Sequence, residues 1–182
     1  MIRVKICGMT SAEGAIAAGE AGADAVGLIF VPGVRRYLTV ERAQEIAAAL
    51  PPFVARVGVF IDEAPEKVEV IARRCSLDTL QLHGRESPEY CRRFAHQIIK
   101  SIRVADADSL KVMDDYRVDA FLLEPHVEGV PGGAGRTFDW RLAAQAAARG
   151  RIILAGGLTP ENVTEALERV RPFGVDVSSG VE

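Results

Sequence analysis

Residues 151–182 read RIILAGGLTPENVTEALERVRPFGVDVSSGVE, and this stretch decides the fold. An apolar run at 152–155 stops at Gly156-Gly157, and a helix start follows at once. Thr159 suits an N-cap, Pro160 sits where a missing N–H costs nothing, and Glu161 favours the first turn. A second apolar run at 174–177 stops at Ser178-Ser179-Gly180. The pattern is two parallel strands joined by one helix. Each strand ends in small residues whose backbone N–H groups stand uncrowded, a cup suited to an oxyanion. The alternative is that the glycines serve turn geometry alone.

The same alternation runs through the whole chain. Strands are expected at 3–7, 25–30, 54–60, 79–83, 97–102, 120–124, 151–155 and 174–177, with helical spacing at 12–21, 40–50, 65–74, 88–95, 109–116, 139–148 and 160–170. Thr10-Ser11-Ala12-Glu13 reads as a capping box, and Ser87 precedes a first-turn proline. Strict alternation implies parallel strands with right-handed crossovers. Eight strands in that order fit a closed (β/α)8 barrel, in which the loops after strands seven and eight hold a substrate phosphate. No G-x-G-x-x-G follows the first strand. The expected organisation is a single domain over residues 1–182, compact and without the helix that should follow strand eight. The longest irregular segment, 125–137, is a candidate lid.

Composition narrows the function. A 48% hydrophobic content supports a substantial core, and a net charge of −3 gives no basic field for nucleic acid or an anionic membrane. Cys7, Cys75 and Cys91 are odd in number with no C-x-x-C spacing, which points to a reducing, cytoplasmic setting. His83, His96 and His126 lack metal-ligand spacing, so no metal is expected.

Candidate chemistry sits at the strand ends. Arg3, Lys5 and Cys7 share one face of the first strand, so an inward Cys7 implies an inward Lys5. A buried lysine demands a partner, and Asp176 on strand eight has the right parity. Cys7 is either a base or a small core residue. Glu124 closes the apolar run at 121–123; it is either a desolvated acid with a raised pKa, or an ordinary exposed glutamate. Arg35 or Arg36, after strand two, can fork onto a substrate carboxylate. Gln81, His83 and Asp62 can reach substrate hydroxyls, with structural hydrogen bonding the stronger reading for all three.

Five motifs carry a family resemblance: VKICGMT (4–10), LQLHG (80–84), GGAGRTFDW (132–140), LAGGLTPEN (154–162) and VDVSSGVE (175–182). The chain resembles the phosphoribosylanthranilate isomerase family of tryptophan biosynthesis. The resemblance implies an Amadori rearrangement of N-(5-phosphoribosyl)anthranilate without a cofactor. It assigns Cys7 as general base at the sugar C2 and the residue at Glu124 as general acid. It gives Arg36 the anthranilate carboxylate, and Gly156, Gly157, Ser179 and Gly180 the phosphate; His83 joins them as a substrate-binding candidate. The family acid is an aspartate, and Glu124 reaches about 1.5 Å further, a displacement that costs on the order of 100-fold in rate if uncorrected. The partner implied is a small phosphosugar, with the chain a monomer or homodimer. Two other readings remain: a different phosphosugar-barrel isomerase or epimerase, and a non-catalytic binder of a phosphate ligand.

Overall fold

The computed structural model describes residues 2–127 and 137–181. Its eight strands are β1 (Arg3–Cys7), β2 (Ala25–Ile29), β3 (Ala55–Phe60), β4 (Thr79–Leu82), β5 (Gln97–Val104), β6 (Ala120–Pro125), β7 (Ile152–Leu154) and β8 (Gly174–Val177). They form a closed parallel barrel in chain order, with β8 paired to β1. That seam sets Lys5 opposite Asp176. Elsewhere the register sets Cys7 opposite Gly27, and Arg103 opposite Glu124.

Alternation along each strand divides the core. Inward residues such as Val57, Ile99, Ala120, Leu122 and Ile153 fill the barrel. Outward residues pack beneath the helices in two larger clusters, one around Leu28, Phe60 and Leu80, the other around Leu123, Leu154 and Val175. Val4 and Val177, on the outer faces of β1 and β8, are half-buried against the second cluster.

The helices are α1 (Ala12–Glu20), α2 (Val40–Ala49), α3 (Pro65–Arg74), α4 (Pro88–Cys91), α5 (Trp140–Ala146) and α6 (Val163–Val170). After β8 the described chain forms only a short 3-10 turn, Ser179–Val181. Thr39, Ser87 and Asp139 cap their helices through side-chain oxygens that accept first-turn N–H groups.

Four expectations about helices need correction. The first helix is capped by Ser11, whose Oγ accepts from Gly14 N at 3.1 Å, so the cap lies one residue beyond Thr10. The span 88–95 is helical only to Cys91, because Tyr90 and Phe94 pack edge-to-face at 5.3 Å and the chain turns back towards β5. The span 109–116 is a 3-10 segment, Asp108–Asp115, started by Ser109 N donating to Asp106 Oδ1. Finally, α6 begins at Val163 rather than Pro160, since Asn162 turns its side chain back: Oδ1 accepts from Thr159 N (2.9 Å) and Nδ2 donates to Gly157 O (2.8 Å). Thr159 is thus held by a loop rather than capping a helix.

Candidate active site

The C-terminal ends of the strands surround a cavity of about 460 Å³. Cys7, Arg35, Arg36, Gln81, His83, Glu124, Asp176 and both glycine-rich strand ends line it. It lies at the end of the barrel where this architecture carries its chemistry.

On one side a charged chain runs inward. Lys5 Nζ donates to Asp176 Oδ1 at 2.7 Å, with side-chain exposures of 5% and 10%. The parity argument for this pair is borne out. Burial alone would lower the Lys5 ammonium, but Asp176 and Cys7 together hold its pKa above the ordinary 10.5. Burial pushes the Cys7 thiol up; Lys5 opposes that shift and Asp176 adds to it, leaving the value raised. Gly27 makes this arrangement possible. A Cβ there would stand 2.6 Å from Cys7 Sγ and 3.2 Å from Lys5 Nζ. Ser178 Oγ donates to Cys7 O at 3.0 Å and ties the end of β8 to the end of β1.

Facing them is a buried acid. Glu124 is 4% exposed, which rules out the ordinary exposed glutamate. Its Oε1 lies 2.8 Å from His83 Nε2, 3.4 Å from Ser101 Oγ and 3.6 Å from Arg103 Nε. The cavity lining around it includes Ile29, Val59, Ile61 and Leu122, but at Oε1 itself the neighbours are polar. His83 Nδ1 in turn lies 2.9 Å from Gln81 Nε2. His83 thus touches the acid directly, where the sequence favoured a structural role. Asp62 does take the structural role: it accepts from Arg85 N at 2.6 Å, and a Cβ on Gly84 would meet its carboxylate at 2.4 Å.

Ser101 and Arg103 were missed. The expected fifth strand ended at residue 102, one short of the arginine, although parity from Ile99 puts 101 and 103 on the inner face.

Arg36 lies across the end of β1. A Cβ on Gly8 (φ +83) would come within 2.5 Å of Arg36 Cδ, so glycine there lets the guanidinium reach the mouth beside Cys7. Arg35 lines the cavity too. The cup forms where two loops meet. Gly156 and Gly157 are left-handed, with φ +86 and +62. A Cβ on Gly180 would stand 2.0 Å from Leu158 O, so the β8 loop lies directly against the β7 loop.

Of the candidate lid, residues 128–136 fall outside the described residues, and with them most of GGAGRTFDW. Asp139 caps α5 and binds Arg141, whose hydrogen bonds hold its carboxyl below the usual range.

A parallel (β/α)8 barrel that sets a thiol beside an ammonium, opposite a buried carboxyl–imidazole pair, belongs to the class of barrel enzymes that work by proton transfer. Residues 4–182 match the family model described as N-(5'phosphoribosyl)anthranilate (PRA) isomerase. N-(5'-phosphoribosyl)anthranilate isomerase of Geobacter sulfurreducens is 52% identical over 182 residues, covering 100% of this chain and 90% of its own. A structure of monomers generated from the dimeric Thermotoga maritima isomerase superposes with TM-score 0.90 at 43% identity, covering 100% of this chain and 89% of that one. A second isomerase structure, in complex with reduced 1-(o-carboxyphenylamino)-1-deoxyribulose 5-phosphate, gives TM-score 0.88 at 43% identity with the same coverage. The chain belongs to the phosphoribosylanthranilate isomerase family.

Proposed function

We propose that this chain isomerises N-(5-phosphoribosyl)anthranilate to 1-(2-carboxyphenylamino)-1-deoxyribulose 5-phosphate, with Cys7 as base and Glu124 as acid. Glu124 protonates the furanose ring oxygen, the C1–O bond breaks, and an iminium forms between C1 and the anthranilate nitrogen. The Cys7 thiolate then removes the C2 proton to give the enolamine, which tautomerises to the ketone. Lys5 supplies the positive charge that a buried thiolate needs. Arg36 holds the anthranilate carboxylate, His83 binds at the acid, and the N–H groups of Gly156, Gly157, Ser179 and Gly180 hold the phosphate.

One observation carries this reading. Cys7 beside Lys5, and Glu124 beside His83, line the same cavity as the two glycine-rich strand ends. A substrate of this size spans all three. The extra methylene of Glu124 is accommodated because Ser101, His83 and Arg103 all meet its Oε1 and fix where the longer side chain ends.

The three cysteines are buried and unpaired, which supports work in the reducing cytoplasm. Among the described residues no helix is long and apolar enough to cross a membrane. The reading takes one barrel domain as the working unit, alone or as a homodimer. The fluorescence of phosphoribosylanthranilate, followed with purified protein, tests it. Decay with formation of the ketose is expected. Binding without decay would leave only a phosphate-ligand binder.

A further inference from the structure

One buried ion pair takes no part in the proposed chemistry. Lys100 and Glu86 are 2% and 4% exposed, and Lys100 Nζ lies 2.8 Å from Glu86 Oε2. Among the described residues neither lines the cavity. Lys100 stands on β5 between the inward Ile99 and Ser101, so its side chain leaves the barrel on the outer side. Stability alone is a weak reason for such a pair, since apolar residues of similar volume in its place are often neutral or stabilising.

The pair grips the backbone around His83. An ammonium carries three N–H groups, and each has a partner here: Leu82 O at 3.1 Å, Gly84 O at 2.8 Å and the Glu86 carboxylate. That carboxylate accepts in turn from Gly84 N at 3.0 Å and Asp62 N at 2.9 Å, joining the turn after β4 to the turn after β3. The two turns lie in contact, because a Cβ on Gly84 would stand 2.8 Å from Asp62 N. Tyr116 Oη donates to Glu86 O at 2.8 Å and anchors the acid's own backbone. His83 sits between the two gripped residues. Its N donates to Phe60 O at 2.8 Å and its O accepts from Arg103 at 3.3 Å. Every backbone polar group from Leu82 O to Gly84 O is therefore held, and the ion pair supplies the partners on both sides of the histidine.

We propose that Lys100 and Glu86 are positioning residues for the acid step: they fix the peptide units on either side of His83, and so the place of its ring 2.8 Å from Glu124 Oε1. This rests on the reading of Glu124 as the acid with His83 bound to it. The pair holds the ends of β3, β4 and β5, whereas Arg36 follows β2 and the phosphate cup follows β7 and β8. Its loss should act on turnover more than on substrate binding. A misplacement of about 1 Å costs on the order of 100-fold in rate, and partial release of the ring should cost about tenfold.

The test is a double-mutant cycle between Lys100→Met and His83→Ala, with kcat taken per active site titrated by the reduced product analogue, so that unfolded protein is not counted. Lys100→Met alone should lower kcat about tenfold and leave KM within about threefold. Added to His83→Ala, it should cost less than about twofold more, because the ring that the pair places is gone. An equal loss in both backgrounds would assign the pair to the fold alone and overturn the proposal. An unchanged kcat in Lys100→Met would do the same, as would normal turnover by His83→Ala. If Lys100→Met does not fold, Glu86→Gln keeps the shape and one acceptor oxygen and runs the same cycle under the same criteria, with a loss of about threefold. Normal turnover by Glu124→Gln would instead remove the acid assignment; the cycle, which makes no reference to Glu124, would still read the action of the pair on His83.

Discussion

Replacing Lys5 with methionine probes the base side of the site through two independent readouts. The Lys5–Asp176 pair is nearly inaccessible, so the variant leaves a buried carboxylate without its cation. Breaking a buried pair from one side costs about 3–5 kcal/mol. For a chain of this length that lowers Tm by roughly 10 °C. Asp176→Asn in the same chain removes the stranded charge and should restore most of the loss. The sign with pH follows from the raised Lys5 pKa: the pair contributes fully at neutral pH and is lost only as pH climbs through a value above 10.5. The second readout is kinetic. Lys5 hydrogen-bonds to the sulfur and opposes the burial that raises the thiol, so its ammonium favours the thiolate. Lys5→Met should therefore move the acidic limb of kcat/KM up and cut the rate near neutral pH by at least about tenfold. The Asp176→Asn double variant should recover part of that shift, since Asp176 raises the thiol. Phosphoribosylanthranilate fluorescence across pH measures the limb, and thermal melts measure the stability. An acidic limb unmoved in Lys5→Met would refute Lys5 as the thiolate's partner, whatever the melting temperature.

Three further outcomes are expected. Gly157→Phe puts a bulky side chain at a left-handed backbone position in the cup, and should raise KM at least tenfold and cost stability through strain; an anion bound elsewhere in a sulfate-grown crystal, with KM unchanged, would reject the cup. Glu124→Asp withdraws the carboxyl by about 1.5 Å from His83 and Arg103 while restoring the family's shorter acid, so it should retain activity within about tenfold; a loss as large as that of Glu124→Gln would show that position, not the carboxyl alone, limits the step. Arg36→Lys keeps the charge but loses the fork, and should raise KM more than it lowers kcat in steady-state kinetics.

Much of the barrel was legible because inward and outward residues alternate strictly. The parity that put Cys7 and Lys5 on one face also predicted Asp176 across the β1–β8 seam. Helix ends were less legible, since tertiary contacts set them: Asn162 spends its side chain on the Gly157 loop, and Tyr90 with Phe94 ends α4 after one turn. Within the site, the placement of Cys7 beside Lys5 was readable from a single strand. The acid's surroundings were not. Ser101 and Arg103 lie on β5, Glu124 on β6 and His83 just after β4, and only the register of these strands brings them to one carboxylate oxygen.

The division of labour between Cys7 and Glu124 is the central claim, and a substrate deuterated at C2 tests it most directly. Single-turnover fluorescence with the wild type should show a primary isotope effect on proton removal. Cys7→Ala and Glu124→Gln should each be slower by at least about 1000-fold, the scale of a lost general acid or base, while the reduced product analogue binds each with near wild-type affinity. Normal turnover by either variant would contradict the account.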